Sequence, residues 1–288
     1  MGWFSASILS YLLQNFSNKQ FSLSIKKTSA GTTLIQNGLC VCSAALFLMI
    51  VSGLKPLPFS VIGLAVLFGI LYLLTVFLLL KAFSLGSMGA STLLCNIGNF
   101  ISTFYGILRF HDAFTLYIAI GTVFLLCAVL LSTPRDRTAQ RGGMRWFVTA
   151  LASGLCNGAV ASVKREAVAL YAGDIQSFLM WGFFFATLTA IVIFCSQKRN
   201  RTDWHVVAQQ PKLLLFGLLA GLGTAAANFC QMQAIRYVSS AIIYPLTSGF
   251  LVVALGVASV VIYKEARFTR GNLIAILCCV IAIVLVNL

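Results

Sequence analysis

Lys19 stands in the stretch YLLQNFSNKQF, residues 11 to 21, which is flanked by apolar sequence. Asn15 precedes it by four positions, Gln14 and Asn18 are also four apart, and Ser22 follows at the next turn. A helical period of 3.6 gathers these groups onto one stripe. The pattern recurs. Thr92, Asn96, Asn99 and Thr103 advance in steps of three and four, as do Thr224, Asn228 and Gln231, and Ser153 and Asn157 form a shorter pair. Ser240, Tyr244, Thr247 and Ser248 make a further set around Pro245. Amides, hydroxyls and one ammonium arranged in this way suit reversible binding of a polar solute, and the ammonium favours a carboxylate or phosphate on it. They do not suit bond making: there is no Ser-His-Asp set, no Gly-rich phosphate loop and no pair of carboxylates inside an apolar run. Enzyme activity is not expected.

The elements that carry these stripes follow from composition. Of 288 residues, 60% are hydrophobic and 9% charged, with a mean hydropathy of +0.97, far outside the range of soluble domains. About 20 mostly apolar residues cross a bilayer as a helix. Read between charged residues, the chain has ten such runs: 1–18, 28–54, 56–80, 82–108, 113–134, 146–163, 175–197, 213–235, 237–263 and 271–288. Helices are expected, because an open sheet would strand backbone groups in lipid. The first run lacks a basic start and a convincing cleavage site, so it reads as a span rather than a leader.

A duplication is expected as well. Asn18 at the end of the first run is followed eight residues later by Lys26, as Asn157 of the sixth is by Arg165, and KAFSLGSMGAS from Lys81 resembles QAIRYVSSAII from Gln233. The chain divides into five spans at 1–133, a basic linker PRDRTAQRGGMR at 134–145, and five spans at 146–288. An odd number of spans per copy inverts the second copy in the membrane. Inverted repeats build transporters with the substrate near the midplane.

Ten spans as five plus five, the segments SLGSMGAS and RYVSSAIIYPLTSGF, and YKE at 263–265 followed by Gly271 resemble the drug/metabolite transporter superfamily, of the EamA-like kind. The first half departs from the usual pattern, with His111 and Asp112 where a Gly-Glu pair is commoner. The resemblance implies an all-α integral membrane transporter. It does not name the substrate, because members handle amino acids, choline, nucleotide sugars and toxic cations.

Basic residues set the expected orientation. The odd loops hold fourteen Lys and Arg residues and the even loops five, the latter being Lys55, Arg109, Lys164, Arg165 and Arg236. The positive-inside rule then puts the odd loops in the cytoplasm and both termini outside. The same loop residues account for the net charge of +14 as attraction to anionic lipid, and no nucleic-acid partner is expected. The nine cysteines lack zinc spacing with His111 or His205, so neither a metal nor a cofactor is expected.

The expected substrate-binding residues are Asn15, Asn18, Lys19, Asn96, Asn99, Asn157, Trp181, Asn228 and Tyr244, with Pro245 as a hinge. A proline inside a span frees a carbonyl and bends the helix. Each residue has a plainer reading: hydrogen bonding between helices for the amides, at about 0.6 kcal/mol a pair, packing for Trp181 and Pro245, and snorkelling to the headgroups for Lys19. The six acidic residues fall in loops or near span ends, whereas a proton-driven exporter of drug cations needs a carboxylate in the membrane. The expected function is therefore a secondary transporter of a small polar metabolite, an amino acid or organic anion, working by alternating access in the plasma (inner) membrane. Its partners would be that solute, lipids and a coupling proton or sodium ion, with the protein a monomer or homodimer. The alternatives are an exporter of quaternary ammonium or drug-like compounds, and a membrane scaffold or sensor.

Overall fold

A computed structural model describes residues 2–25, 29–86, 88–111, 143–171, 174–196 and 199–263, with isolated helical positions between 116 and 127 and between 274 and 282. The expected fifth and tenth spans lie largely outside the described residues, as does most of the linker. So do the side chains of Asn96, Asn99 and Pro245.

Nine helices are present among the described residues: α1 Gly2–Ser24, α2 Ala30–Ser52, α3 Phe59–Leu85, α4 Met88–Phe110, α5 Gly143–Leu170, α6 Ile175–Ser196, α7 Arg199–Ala208, α8 Pro211–Tyr237 and α9 Ser240–Val261. Five stretches, within α2, α3, α5, α6 and α8, are long and apolar enough to cross a membrane. Two differences from the sequence reading matter. The polar interval after residue 197 contains a short helix, α7. And α5 does not stop at residue 163 but runs to Leu170, so Lys164 and Arg165 are helical residues rather than loop residues, with Glu166 on the same helix. Lys81 is likewise inside α3. A charged side chain ends a helix only where it must reach water, and Lys164 does not, since it is buried.

Local chemistry fixes the helix ends. Ser29 caps α2: its Oγ accepts from the Thr32 amide at 3.0 Å while Thr32 Oγ1 accepts from the Ser29 amide at 2.8 Å, a reciprocal capping box. The same Ser29 hydroxyl donates to Asp203 on α7 at 2.6 Å. Gly53, at φ 69°, ends α2, a backbone conformation that costs glycine nothing. Asp174 caps α6, accepting from the Ser177 amide at 3.1 Å and the Ser177 hydroxyl at 2.9 Å. Lys55, from the α2–α3 loop, pairs with the same carboxylate at 3.3 Å. Partial burial raises the Asp174 pKa, but these hydrogen bonds and the Lys55 charge outweigh it and hold the carboxyl below its ordinary range.

The helices form two compact units, and each takes a segment from either half of the chain. The first comprises residues 1–81 and 163–236. In it α2 packs against α6 and α7. Phe21, Ile35, Val207 and Leu213 form one buried cluster, and Phe68 and Tyr72 of α3 stack on each other and meet Phe183 of α6 edge to face. Gly69 and Gly182 bring α3 and α6 into contact: a Cβ on Gly69 would lie 2.8 Å from the Ala186 nitrogen. The second unit comprises residues 82–162 and 237–288. There α4 packs against α9, and Trp146 is buried with Ala82, Leu94 and Ala150, its indole N–H donating to Ser91 at 2.8 Å. Gly98 of α4 sits directly on Gly154 and Gly158 of α5, the close backbone approach that small residues four apart allow.

Candidate functional site

The polar stripe of α1 faces inward. Gln14, Asn15, Ser17, Asn18 and Lys19 are all buried. Gln14 donates to the Tyr72 hydroxyl of α3 at 3.0 Å. Asn18 accepts from Gln36 of α2 twice, at its backbone oxygen at 3.0 Å and at Oδ1 at 3.1 Å. Asn15 turns back on its own helix, donating to the Tyr11 carbonyl at 2.8 Å.

The stripe of α8 is buried in the same unit. Asn228 donates to the Thr224 carbonyl at 2.9 Å, and the Thr224 hydroxyl lies 3.2 Å from Cys40 Sγ. Its two remaining amide oxygens take hydrogen bonds from a lysine that the sequence reading had placed in a loop. Lys164 Nζ donates to Asn228 Oδ1 at 3.2 Å and to Gln231 Oε1. Tyr11 of α1 donates to that same Gln231 oxygen at 2.9 Å. Lys164 is 4% exposed, so its ammonium is shielded from bulk solvent and held by these protein groups. Helices α1, α5 and α8 thus meet in a cluster of side-chain hydrogen bonds around one positive charge.

The expected set divides between the units. Asn15, Asn18, Lys19, Trp181 and Asn228 belong to the first, and Asn228 is the one held by Lys164. Trp181 packs on Phe184 and Phe185 and donates to the Lys55 carbonyl at 2.9 Å, beside the Asp174 cap. Asn157 and Tyr244 belong to the second unit. Asn157 approaches the Cys95 carbonyl at 3.4 Å, and the Tyr244 hydroxyl donates to the Ala161 carbonyl at 2.8 Å, joining α9 to α5. Sequence reasoning missed Tyr11 and Lys164. A signal for Lys164 was present: it follows Asn157 by seven residues, two helical turns, which returns to the same face.

The sequence profile of the EamA-like transporter family matches residues 144–288, just over half of the chain. The chain belongs to the EamA-like transporter family. This family lies within the drug/metabolite transporter superfamily, as SLGSMGAS and RYVSSAIIYPLTSGF led us to expect. At family level the chain is a multi-pass membrane transporter of small molecules and not an enzyme. A solved chain described only as "Crystal structure of protein" shares the fold at a TM-score of 0.71 and 10% identity, over 99% of this EamA-like chain and 96% of its own length. No curated protein matches the sequence.

Proposed function

We propose that this EamA-like protein is a secondary transporter of a small polar metabolite, an amino acid or organic anion, in the plasma membrane. Alternating access would be worked by two inverted five-helix repeats, 1–133 and 146–288, joined by the linker 134–145. The observation that carries this reading is the buried hydrogen-bonded cluster of Tyr11, Lys164, Asn228 and Gln231, on three helices of one unit. Polar groups and a cation are costly to bury in a membrane protein and mark solute pathways there. Two buried ammonium groups in that unit, Lys19 and Lys164, favour an anionic group on the solute over a quaternary ammonium ion.

In this reading Asn18 and Lys19 line the path along α1. Asn96, Asn99, Asn157 and Tyr244 are its further solute-binding residues, and Pro245 lets α9 bend during the cycle. A proton or sodium ion drives the cycle, in a monomer or homodimer. Purified protein in liposomes, offered a panel of labelled amino acids, organic acids and quaternary amines under proton or sodium gradients, tests the proposal. Uptake of an acid above that of empty vesicles is expected. Uptake of quaternary amines alone would move the reading to the exporter class, and folded protein that moves none of the panel would refute it.

A further inference from the structure

Among the buried polar groups of the first unit, most are tied to backbone. Asn15 donates to the Tyr11 carbonyl, Asn37 to the Leu73 carbonyl, Asn228 to the Thr224 carbonyl, and Gln36 to the Asn18 carbonyl. Such bonds fix a side chain for as long as its helix persists. The bonds that join Tyr11, Gln231 and Lys164 are different, because they run between side chains only. Two donors from two helices, a hydroxyl and an ammonium, converge on the single oxygen Oε1 of Gln231, and a turn of the Gln231 side chain would break both of these bonds while Lys164 keeps its bond to Asn228.

Lys164 is also committed inward. It lies six residues before the end of α5 at Leu170, or about 9 Å at 1.5 Å per residue, within range of the headgroups for a lysine stem. Its ammonium instead turns to α8. The two amide oxygens it meets there are neutral acceptors, whereas an anion accepts through a full negative charge and makes the shorter, stronger charge-assisted bonds.

We propose that Lys164 Nζ and Tyr11 Oη, converging on Gln231 Oε1, form the docking point for a carboxylate of the transported solute, with the Gln231 carboxamide as the internal acceptor that the carboxylate replaces. A carboxylate offers two oxygens to these two donors, one for each. A phosphate dianion brings more oxygens and more charge than one ammonium and one hydroxyl match. Asn228 stays in place, held by the Thr224 carbonyl, and continues to accept from Lys164. This deepens the transporter reading and rests on it.

The test uses the full-length purified protein. Binding of succinate, benzoate and L-alanine is followed by thermal stabilisation and titration, with succinamide, benzamide and alaninamide as neutral-headed counterparts and inorganic phosphate as a separate arm. At least one carboxylate should bind while its amide does not. Lys164→Met should weaken that binding at least about tenfold, Lys164→Arg should recover part of it, and Tyr11→Phe should weaken it several-fold. Gln231→Leu should tighten it, since the competing acceptor is gone. A residue that merely supports the fold would not give that opposite sign, and Tyr11→Phe keeps the test usable if Lys164→Met does not fold. No carboxylate binding to the wild type, a Gln231→Leu loss as large as that of Lys164→Met, or Lys164-dependent binding of phosphate alone would each overturn the proposal. Liposomes separate it from the reading on which it rests. Transport of neutral solutes unaffected by Lys164→Met would refute this docking point and leave a transporter. Lys164-dependent carboxylate binding without transport of any solute would do the reverse.

Discussion

Replacing Asn228 by aspartate would put a permanent carboxylate where the amide oxygen now sits, 3.2 Å from Lys164 Nζ. The change is nearly isosteric, so packing should survive. At that distance and an effective dielectric of about 20, the Coulomb attraction is about 5 kcal/mol. Desolvating the new carboxylate takes several kcal/mol back, but the ammonium is already buried, so only one new desolvation cost arises. The resident pair therefore forms, and a solute carboxylate arriving at Lys164 finds its charge answered. Asn228→Asp should weaken carboxylate binding at least about a hundredfold, or roughly 2.7 kcal/mol, with a melting temperature equal to or above the wild type. Asn228→Leu makes the contrast. It removes one acceptor from a buried ammonium and should destabilise by about 1–3 kcal/mol, yet it adds no competing carboxylate and leaves Lys164 and Tyr11 in place, so carboxylate binding should persist. Titration calorimetry and a thermal melt on the two variants read both quantities. Asn228→Asp protein that binds carboxylates as tightly as the wild type would refute the reasoning, because Lys164 would then not be the group that holds the anion.

Other expectations follow from the fold. A side chain at Gly98 would collide with Gly154 and Gly158, so Gly98→Val should cost about 1–3 kcal/mol, read as an early thermal transition or aggregation on gel filtration; an unchanged melt would mean that α4 and α5 do not cross there. Asp174→Ala should cost about 1 kcal/mol through the lost cap of α6. Because the folded-state pKa of Asp174 lies below its unfolded value, the carboxylate's contribution is present above an unfolded pKa of about 3.9 and lost as pH falls through the folded value. The gap between the melting curves of wild type and Asp174→Ala should therefore close on acidification below about pH 4, and a gap that held at low pH would speak against an ionised cap. A single cysteine in the linker at 134–145, in a background without native cysteines, should resist impermeant reagents in intact cells, and labelling from outside would reverse the orientation. Pro245→Ala should slow transport while leaving substrate binding intact; an unchanged rate would make Pro245 a packing residue.

The burial of the stripes was legible because it depends on local periodicity: Gln14, Asn15, Asn18 and Lys19 on α1, and Thr224, Asn228 and Gln231 on α8, are buried as their three-and-four spacing requires. Which stripe met which was not legible. Tyr11 and Gln231 are 220 residues apart, and no helical period carries information across that distance. The error at Lys164 has a definite cause. Charges were used to mark the ends of spans, and this rule assumes that every charge seeks water, so it fails where a neighbouring helix supplies acceptors. The helices take in Lys81, Arg145, Arg199, Arg201 and Lys212 from the odd loops and Arg109, Lys164, Arg165 and Arg236 from the even ones, five and four residues, and the basic bias keeps its direction. Helix α7 escaped notice because RNRTDWHVVA shows no apolar stripe long enough to stand out; the Ser29–Asp203 bond and the burial of Val207 tie it down.

The most direct test of the account is counterflow in proteoliposomes: vesicles of the purified wild-type protein, preloaded with an unlabelled carboxylate that binds it, should accumulate the labelled compound transiently above empty vesicles, and vesicles of Lys164→Met protein should not. Folded, monodisperse wild-type protein whose vesicles exchange no carboxylate faster than empty ones, or Lys164→Met vesicles that exchange it at the wild-type rate, would contradict it.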